Sequence, residues 1–210
     1  MLQQPLRIIV DNRERNIGII ESLEEQGIDL NFAQLPVGDY IISDRICIER
    51  KTASDFESSI MNNVQEVVNT WCKKEYGNLK AAEMAGVRAP RPYYFRGNVL
   101  AMEFIGYDGK PANTLKETEL AEPQEVLDMI LSDLRKLYKA EFVHGDVSEY
   151  NILMNLGTPY LIDFGQAVVL NHPRAMEFLK RDVHNITAYF ARKYGIMNDE
   201  ETIVGQITGR

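Results

Sequence analysis

Cysteine is scarce. Cys47 and Cys72 are the only two in 210 residues, and they show no metal-ligand spacing, which excludes a thiolate metal centre and a disulfide-stapled fold. Long hydrophobic runs are also missing: nothing approaches the roughly 20 apolar residues of a membrane-spanning helix. The first residues lack a basic start followed by an apolar stretch, so no secretion signal is read there. The expected setting is therefore reducing and cytoplasmic. Positive charge is in deficit, with 23 Lys and Arg against 31 Asp and Glu and a net charge of −8. That balance argues against a broad electrostatic grip on nucleic acid. No internal repeat or low-complexity tract is present. What remains is 45% hydrophobic residues, enough for the core of one large domain or two small ones.

The densest chemistry lies in Val143-His-Gly-Asp-Val-Ser-Glu-Tyr-Asn-Ile-Leu153 and, shortly after, Tyr160-Leu-Ile-Asp-Phe-Gly165. Two short apolar runs, Asn151–Met154 and Tyr160–Ile162, predict a hairpin of small strands around Asn155-Leu-Gly-Thr-Pro159. Asp146 precedes the first strand, Asn151 begins it, and Asp163 follows the second. A hairpin brings its open ends together, so Asn151 and Asp163 are expected to converge. An amide oxygen and a carboxylate suit a hard cation such as Mg2+. Asp146 is then left to orient or deprotonate a nucleophile, the layout of a phosphoryl-transfer site.

His144-Gly-Asp-Val-Ser-Glu-Tyr-Asn151 and Ile162-Asp-Phe-Gly-Gln-Ala-Val168 resemble the catalytic and metal-binding loops of the RIO kinases, the first subfamily in particular. The resemblance runs from about residue 64 to 194. It implies a RIO-type atypical serine/threonine kinase or ATPase using ATP with Mg2+, or Mn2+ in its place. By the same resemblance Asp146 is catalytic and Asn151 and Asp163 hold the metal, with Asp163 alternatively accepting the phosphoryl group itself. A protein substrate and a pre-ribosomal particle of the small subunit are the implied partners. Ala101-Met-Glu-Phe-Ile-Gly106 resembles the kinase hinge, with Met102 at the adenine pocket wall and Glu103 and Ile105 supplying carbonyl and amide contacts. Read from the residues alone, Met102 is a core side chain.

Before the kinase-like loops, Val64–Ala85 has helical periodicity through Val64, Val67, Val68, Trp71 and Leu79, closed by Gly86. Glu75 falls on that stripe, where a carboxylate ordinarily needs a partner. It reads either as the helix glutamate that pairs with an ATP-binding lysine, as the resemblance implies, or as a half-exposed residue at the edge of the stripe. Upstream of it neither a Gly-x-Gly-x-x-Gly loop nor a Ser-Thr-Gly-Lys stretch is found.

The first segment reads differently. Leu6–Val10 predicts a buried strand ending in Asp11-Asn-Arg-Glu14, followed by a helix over Ile17–Gln26 with Gly27 as its cap. Leu30–Leu35, Asp39–Ile42 and Arg45–Glu49 predict three further strands, the first two joined by a turn through Pro36 and Gly38. Ser54-Asp55-Phe56 opens a helix. Asp11, Asp39 and Glu49 at strand ends, with Lys51 adjacent, are a set able to bind a divalent metal near a scissile phosphate. Val10-Asp-Asn-Arg-Glu14, Val37-Gly-Asp-Tyr40 and Glu49-Arg-Lys-Thr-Ala-Ser-Asp55 resemble the nuclease domain of the XPF family, which cuts branched DNA. The resemblance implies metal ligation by Asp11, Asp39 and Glu49 and a catalytic role for Lys51. It stops near residue 62, and residues 1–62 carry 6 Lys and Arg against 11 Asp and Glu, a net of −5. Lys51 ends a strand placed before the Glu75 helix, so it is also a candidate for the absent ATP-binding lysine.

Downstream, Arg91–Phe95 and Val99–Phe104 predict strands, Tyr107–Thr114 a loop, and Pro123–Ala140 a core helix with Val126, Leu127, Ile130, Leu131, Leu134, Leu137 and Tyr138 on one face. A last helical region runs from His172 to Tyr194. There Asp182 resembles a family position that braces the catalytic loop, and His144 reads as a packing histidine rather than a proton carrier. Gly195–Arg210 is expected to be a short polar tail, mobile at its end. The expected organisation is an XPF-type nuclease fragment over 1–62, a RIO kinase-like domain over 63–196 and a tail over 197–210. The fold class is a mixed sheet with helices followed by a mainly helical, kinase-like C-lobe. The competing functions are a RIO-type kinase or ATPase, a metal-dependent structure-specific nuclease, and a non-enzymatic ribosome-binding module.

Overall fold

The computed structural model describes residues 7–14, 16–51, 64–107 and 110–209, without the side chains of 64–67. The helix expected from Ser54 lies outside these. The chain forms two compact units, one comprising the residues up to Lys73 with Pro92–Pro111, the other Lys74–Arg91 with Ala112 onward.

The first unit is built on a six-stranded sheet. Its strands are β1 (Arg7–Asp11), β2 (Asp29–Ala33), β3 (Tyr40–Ile41), β4 (Ile46–Arg50), β5 (Pro92–Arg96) and β6 (Val99–Glu103), in the order β2-β1-β3-β4-β6-β5. β1 pairs in parallel with β2 through the crossover helix α1 (Ile17–Glu25), and all other pairs are antiparallel. A parallel pair needs such a crossover. The turn through Pro36 and Gly38 therefore does not make a hairpin of its flanking strands, because β1 lies between them. Ile8, Val10 and Tyr40 form the local core, with Ile19, Leu23, Leu30 and Ile48 packed against it. Residue 62 is no boundary in this sheet: β4 pairs with β6 from Ile46↔Glu103 to Arg50↔Val99. At its ends the Phe104 amide donates to Arg45 O at 2.8 Å and Lys51 N to Asn98 O at 2.8 Å. Within the expected loop, β7 (Gly106–Tyr107) and β8 (Lys110–Pro111) pair as a short ribbon.

The second unit is mainly helical. It takes the C-terminal part of α2 (Val64–Met84), then α3 (Pro123–Lys139), α4 (Ala175–Tyr194) and α5 (Glu200–Thr208). The amphipathic face of α3 buries Val126, Leu127, Ile130, Leu134 and Leu137, and α3 packs on both α4 and α5. The expected polar tail thus carries a packed helix. Ile203 and Ile207, four residues apart on one face, are buried, and the Asp199 carboxylate caps its first turn by accepting from Glu201 N.

Two small sheets complete the unit's irregular part. β9 (Asn113–Thr114), β11 (Ile152–Asn155) and β12 (Thr158–Leu161) form one, in the order β12-β11-β9, while β10 (Phe142–Val143) pairs with β13 (Val168–Val169). The β11–β12 hairpin turns at Leu156 and Gly157, both at positive φ (50° and 81°). That backbone is the one a two-residue hairpin loop requires.

Candidate active site

The stretch from His144 to Asn151 enters from β10 and leaves into β11. Its geometry is set from below by α4. Asp182 is fully buried (0% exposed). Its Oδ2 accepts from the Gly145 amide at 2.7 Å and its Oδ1 from the Val147 amide at 2.9 Å, so one carboxylate holds the backbone on both sides of Asp146. Asn185, one residue short of a helical turn further along α4, donates to Val147 O at 3.1 Å, and Arg181 donates to Gly145 O. Gly145 is at φ 80°, and a Cβ there would sit 3.1 Å from Gln166 O, so glycine alone fits without strain. Burial pushes the Asp182 carboxyl up to about 6, against the pull of the two amides.

Within the loop, Asn151 Nδ2 donates to Asp146 O at 2.9 Å and to Asp146 Oδ2 at 3.1 Å. The amide nitrogen is thereby committed and the Asn151 carbonyl oxygen is turned away from Asp146. The hairpin closes as expected: Ile162 N donates to Asn151 O at 3.0 Å, which places Asp163 beside the start of β11. Asp163 is exposed and left-handed (φ 61°, ψ 72°), and its Oδ1 accepts from Gly165 N at 3.3 Å. Its charge is felt by Asp146, whose carboxyl is held above the usual carboxylate range, first by burial and then by Asp163, with Arg181 and Asn151 opposing.

His144 is a positioning side chain. Its Nε2 lies 3.1 Å from Ile162 O, and its Nδ1 accepts from Asp146 N at 3.3 Å. With the main-chain amide on Nδ1, the proton belongs on Nε2. Burial pushes the ring down to about 4, although Asp163 pulls it up, so it is neutral at physiological pH.

Glu75 is 2% exposed, which removes the half-exposed reading. The buried stripe of α2 is Val68, Cys72, Glu75, Leu79 and Ala82, and Trp71, expected on it, is 39% exposed on its shoulder. Sequence reasoning missed Asn78, one position short of a turn beyond Glu75 and buried; its Nδ2 donates to Phe164 O at 2.7 Å. It also missed Asp133. This side chain sits on the apolar face of α3, is 1% exposed, and pairs with Arg88 and Lys136, each at 2.8 Å. Asp133 lies three residues after Ile130 and four before Leu137, so the test that singled out Glu75 would have found it.

In the first unit, the nuclease-like carboxylates are engaged otherwise than a metal site needs. Asp11 is 2% exposed. It accepts from Leu35 N at 2.6 Å, Arg13 N at 2.7 Å and the Arg13 guanidinium at 2.7 and 2.9 Å, while Arg13 Nη2 also reaches Leu35 O at 2.6 Å. Asp39 Oδ2 accepts from Arg50 N at 2.6 Å, and Glu49 is ion-paired with Lys51. Among the described residues no three His, Cys, Asp or Glu side chains are grouped to hold a metal ion. The expectation that Asp11, Asp39 and Glu49 form one is corrected accordingly, because Arg13 and the Leu35 amide occupy the Asp11 oxygens.

At the end of β6, Met102 is buried opposite Cys47 and Pro92, and Ile105 is also buried. The Phe104 amide is used by β4 and the Glu103 carbonyl accepts the Cys47 thiol at 3.6 Å. The Ile105 amide makes no hydrogen bond among the described residues.

Comparison with known proteins decides the family. The RIO domain matches residues 44–203. The chain belongs to the RIO domain family. Among its RIO relatives, the RIO-type serine/threonine-protein kinase Rio1 of Haloferax volcanii is 37% identical over 174 residues, covering 77% of this chain and 60% of that protein. Rio1 of Thermoplasma acidophilum is 41% identical over 146 residues, covering 70% and 76%. The human serine/threonine-protein kinase RIO1 is 39% identical over 133 residues but only 23% of its length is spanned. The fold is kinase-like: a crystal structure of a Rio2 kinase–ADP/Mg2+–phosphoaspartate complex from Chaetomium thermophilum superposes with a TM-score of 0.61 at 21% identity, over 74% of this chain and 49% of that one.

Proposed function

We propose that this RIO domain is a serine/threonine kinase or ATPase that transfers a phosphoryl group from MgATP. The observation that carries the reading is the bonded arrangement of Asp146, Asn151 and Asp163. Asn151 spends its amide nitrogen on Asp146 and keeps its carbonyl oxygen for a cation, while Asp163 is exposed with one carboxylate oxygen outside its hydrogen bond to Gly165. Two oxygen donors of this kind fit Mg2+, and Mn2+ equally. Bound there with ATP, the ion supplies neutralisation of phosphate charge. Asp146, half-buried and anchored by Asn151, accepts the proton of the attacking hydroxyl. Asp163 has a second use as phosphoryl acceptor, in line with the phosphoaspartate of the Rio2 neighbour: its carboxylate bonds the γ-phosphorus as the bond to the bridging oxygen breaks and ADP leaves.

Met102, Glu103 and Ile105 are proposed to receive the adenine, a role supported by the uncommitted Ile105 amide. Lys51 is proposed to serve the phosphates, supported by the placement of β4 directly beside β6. The second substrate is a protein hydroxyl, with a pre-ribosomal particle as partner. The proposed compartment is the cytoplasm, supported by two buried cysteines that form no disulfide.

The test is a titration of MgATP against the full chain, following binding and phosphate release. Binding is expected in the parent, loss of its Mg2+-dependent part in Asp163→Asn, and retained binding with turnover reduced by about 10²–10⁴ in Asp146→Asn. Absence of binding at millimolar nucleotide would sink the proposal. A second reading, the XPF-type nuclease, would place Asp11, Asp39 and Glu49 on a metal ion. The engagement of Asp11 weighs against it, so branched DNA with Mg2+ or Mn2+ is expected to stay intact in the same preparation.

A further inference from the structure

Asp163 adopts a left-handed backbone (φ 61°), uncommon for a residue that carries a side chain. The carbonyls on either side of it are both taken by buried side chains. Ile162 O accepts from the His144 ring at 3.1 Å, and Phe164 O from Asn78 Nδ2 at 2.7 Å. The same Asn78 nitrogen lies 3.5 Å from Ala167 O, so one carboxamide reaches both ends of the short 3-10 turn Phe164–Gln166. Lys74, a helical turn earlier on α2, donates to Gly165 O at 2.9 Å. Three of the four carbonyls from Phe164 to Ala167 thus receive α2 side chains, all within the second unit.

We propose that Asn78 is a positioning residue that fixes the Asp163 carboxylate for its cation by pinning the Phe164–Ala167 turn, with Lys74 as an auxiliary. The proposal rests on the phosphoryl-transfer reading above. A carboxamide suits the task because it carries two N–H donors, where an aspartate at this position would present only acceptors to two carbonyls. His144 fixes the entry to Asp163 and Asn78 the exit, so loss of Asn78 frees rotation on one side only. The consequence is a carboxylate still present but no longer preorganised.

The experiment is Mg2+ dependence of nucleotide binding in Asn78→Leu, which keeps the volume and removes the donor. Half-saturation is expected to need about tenfold more Mg2+, one hydrogen bond's worth of preorganisation, while Mg2+-free nucleotide affinity stays within about twofold. In an Asp163→Asn background the same substitution is expected to add nothing, because its effect runs through the carboxylate. Lys74→Met is expected to shift the Mg2+ requirement in the same direction by less. An unchanged Mg2+ requirement in Asn78→Leu, or an equal loss with and without Asp163, would overturn the role and leave Asn78 as packing. If Asn78→Leu gives no cooperative melt, Asn78→Ser, whose hydroxyl is too short to span the turn, is read under the same criteria. A parent chain that binds no MgATP overturns the phosphoryl-transfer reading first and this role with it.

Discussion

Replacing Asp182 tests how the catalytic loop is held. In Asp182→Ala the amides of Gly145 and Val147, which bond to the carboxylate at 2.7 and 2.9 Å in a fully buried position, lose their acceptor together. Each buried amide left unsatisfied costs about 1–3 kcal/mol. Two of them amount to about 2–6 kcal/mol, a large share of the roughly 5–15 kcal/mol that holds a domain folded. Part of this is offset at neutral pH, because the ionised carboxylate is itself costly to bury. Asp182→Asn keeps one acceptor oxygen but sets its N–H₂ against the other amide, so about 1–3 kcal/mol is expected from it. At about 2–4 °C per kcal/mol for a chain of this size, the alanine variant should melt about 5–15 °C below the parent and the asparagine variant less. Thermal unfolding monitored by circular dichroism at pH 7.5 reads both, and MgATP titration reads the loop. The reasoning is refuted if Asp182→Ala melts with the parent, since the two amides would then have another acceptor.

Two further outcomes follow from the same physics. The Asp39 carboxyl is pushed up to about 6, so the folded state binds its proton more tightly than the unfolded chain does. Its contribution is fully present below about pH 4 and is lost as pH rises through about 6; Asp39→Asn should therefore flatten the melting temperature between pH 5 and 7.5, and an unchanged slope would show that Asp39 is not the group responsible. Ile207 is 3% exposed on α5, so Ile207→Ser should cost about 2–4 kcal/mol by loss of apolar burial and exposure of a cavity, measured by urea unfolding; a mobile tail would show no effect.

The sequence by itself determined the elements whose signals are local. The β11–β12 hairpin was legible because two apolar runs flank a short turn that contains Gly157, a residue that accepts positive φ, and its closure sets Asn151 beside Asp163. Periodicity located α2, α3 and α4 and the apolar face of α3. The resemblance added roles for Asp146, Asn151 and Asp163, and a brace at Asp182. α5 went unread because the Ile203–Ile207 pair is a short signal in a nine-residue helix that is stable only when packed.

Only the tertiary structure decided the pairings. β1 comes between β2 and β3, and β4 joins β6 across some fifty residues of chain, because strand neighbours follow from burial of whole faces rather than from sequence order. Asp11 reads as a metal ligand until Arg13 and the Leu35 amide are seen on its oxygens. Asn78 is an ordinary polar residue in a helix until its partner, Phe164 O, arrives from a distant segment, and Asp133, legible as a polar residue on an apolar face, gains its meaning only with Arg88. A hydrogen bond is specified by where two groups meet in space. Local pattern reports which face a side chain is on, and only the packed chain supplies what it meets there.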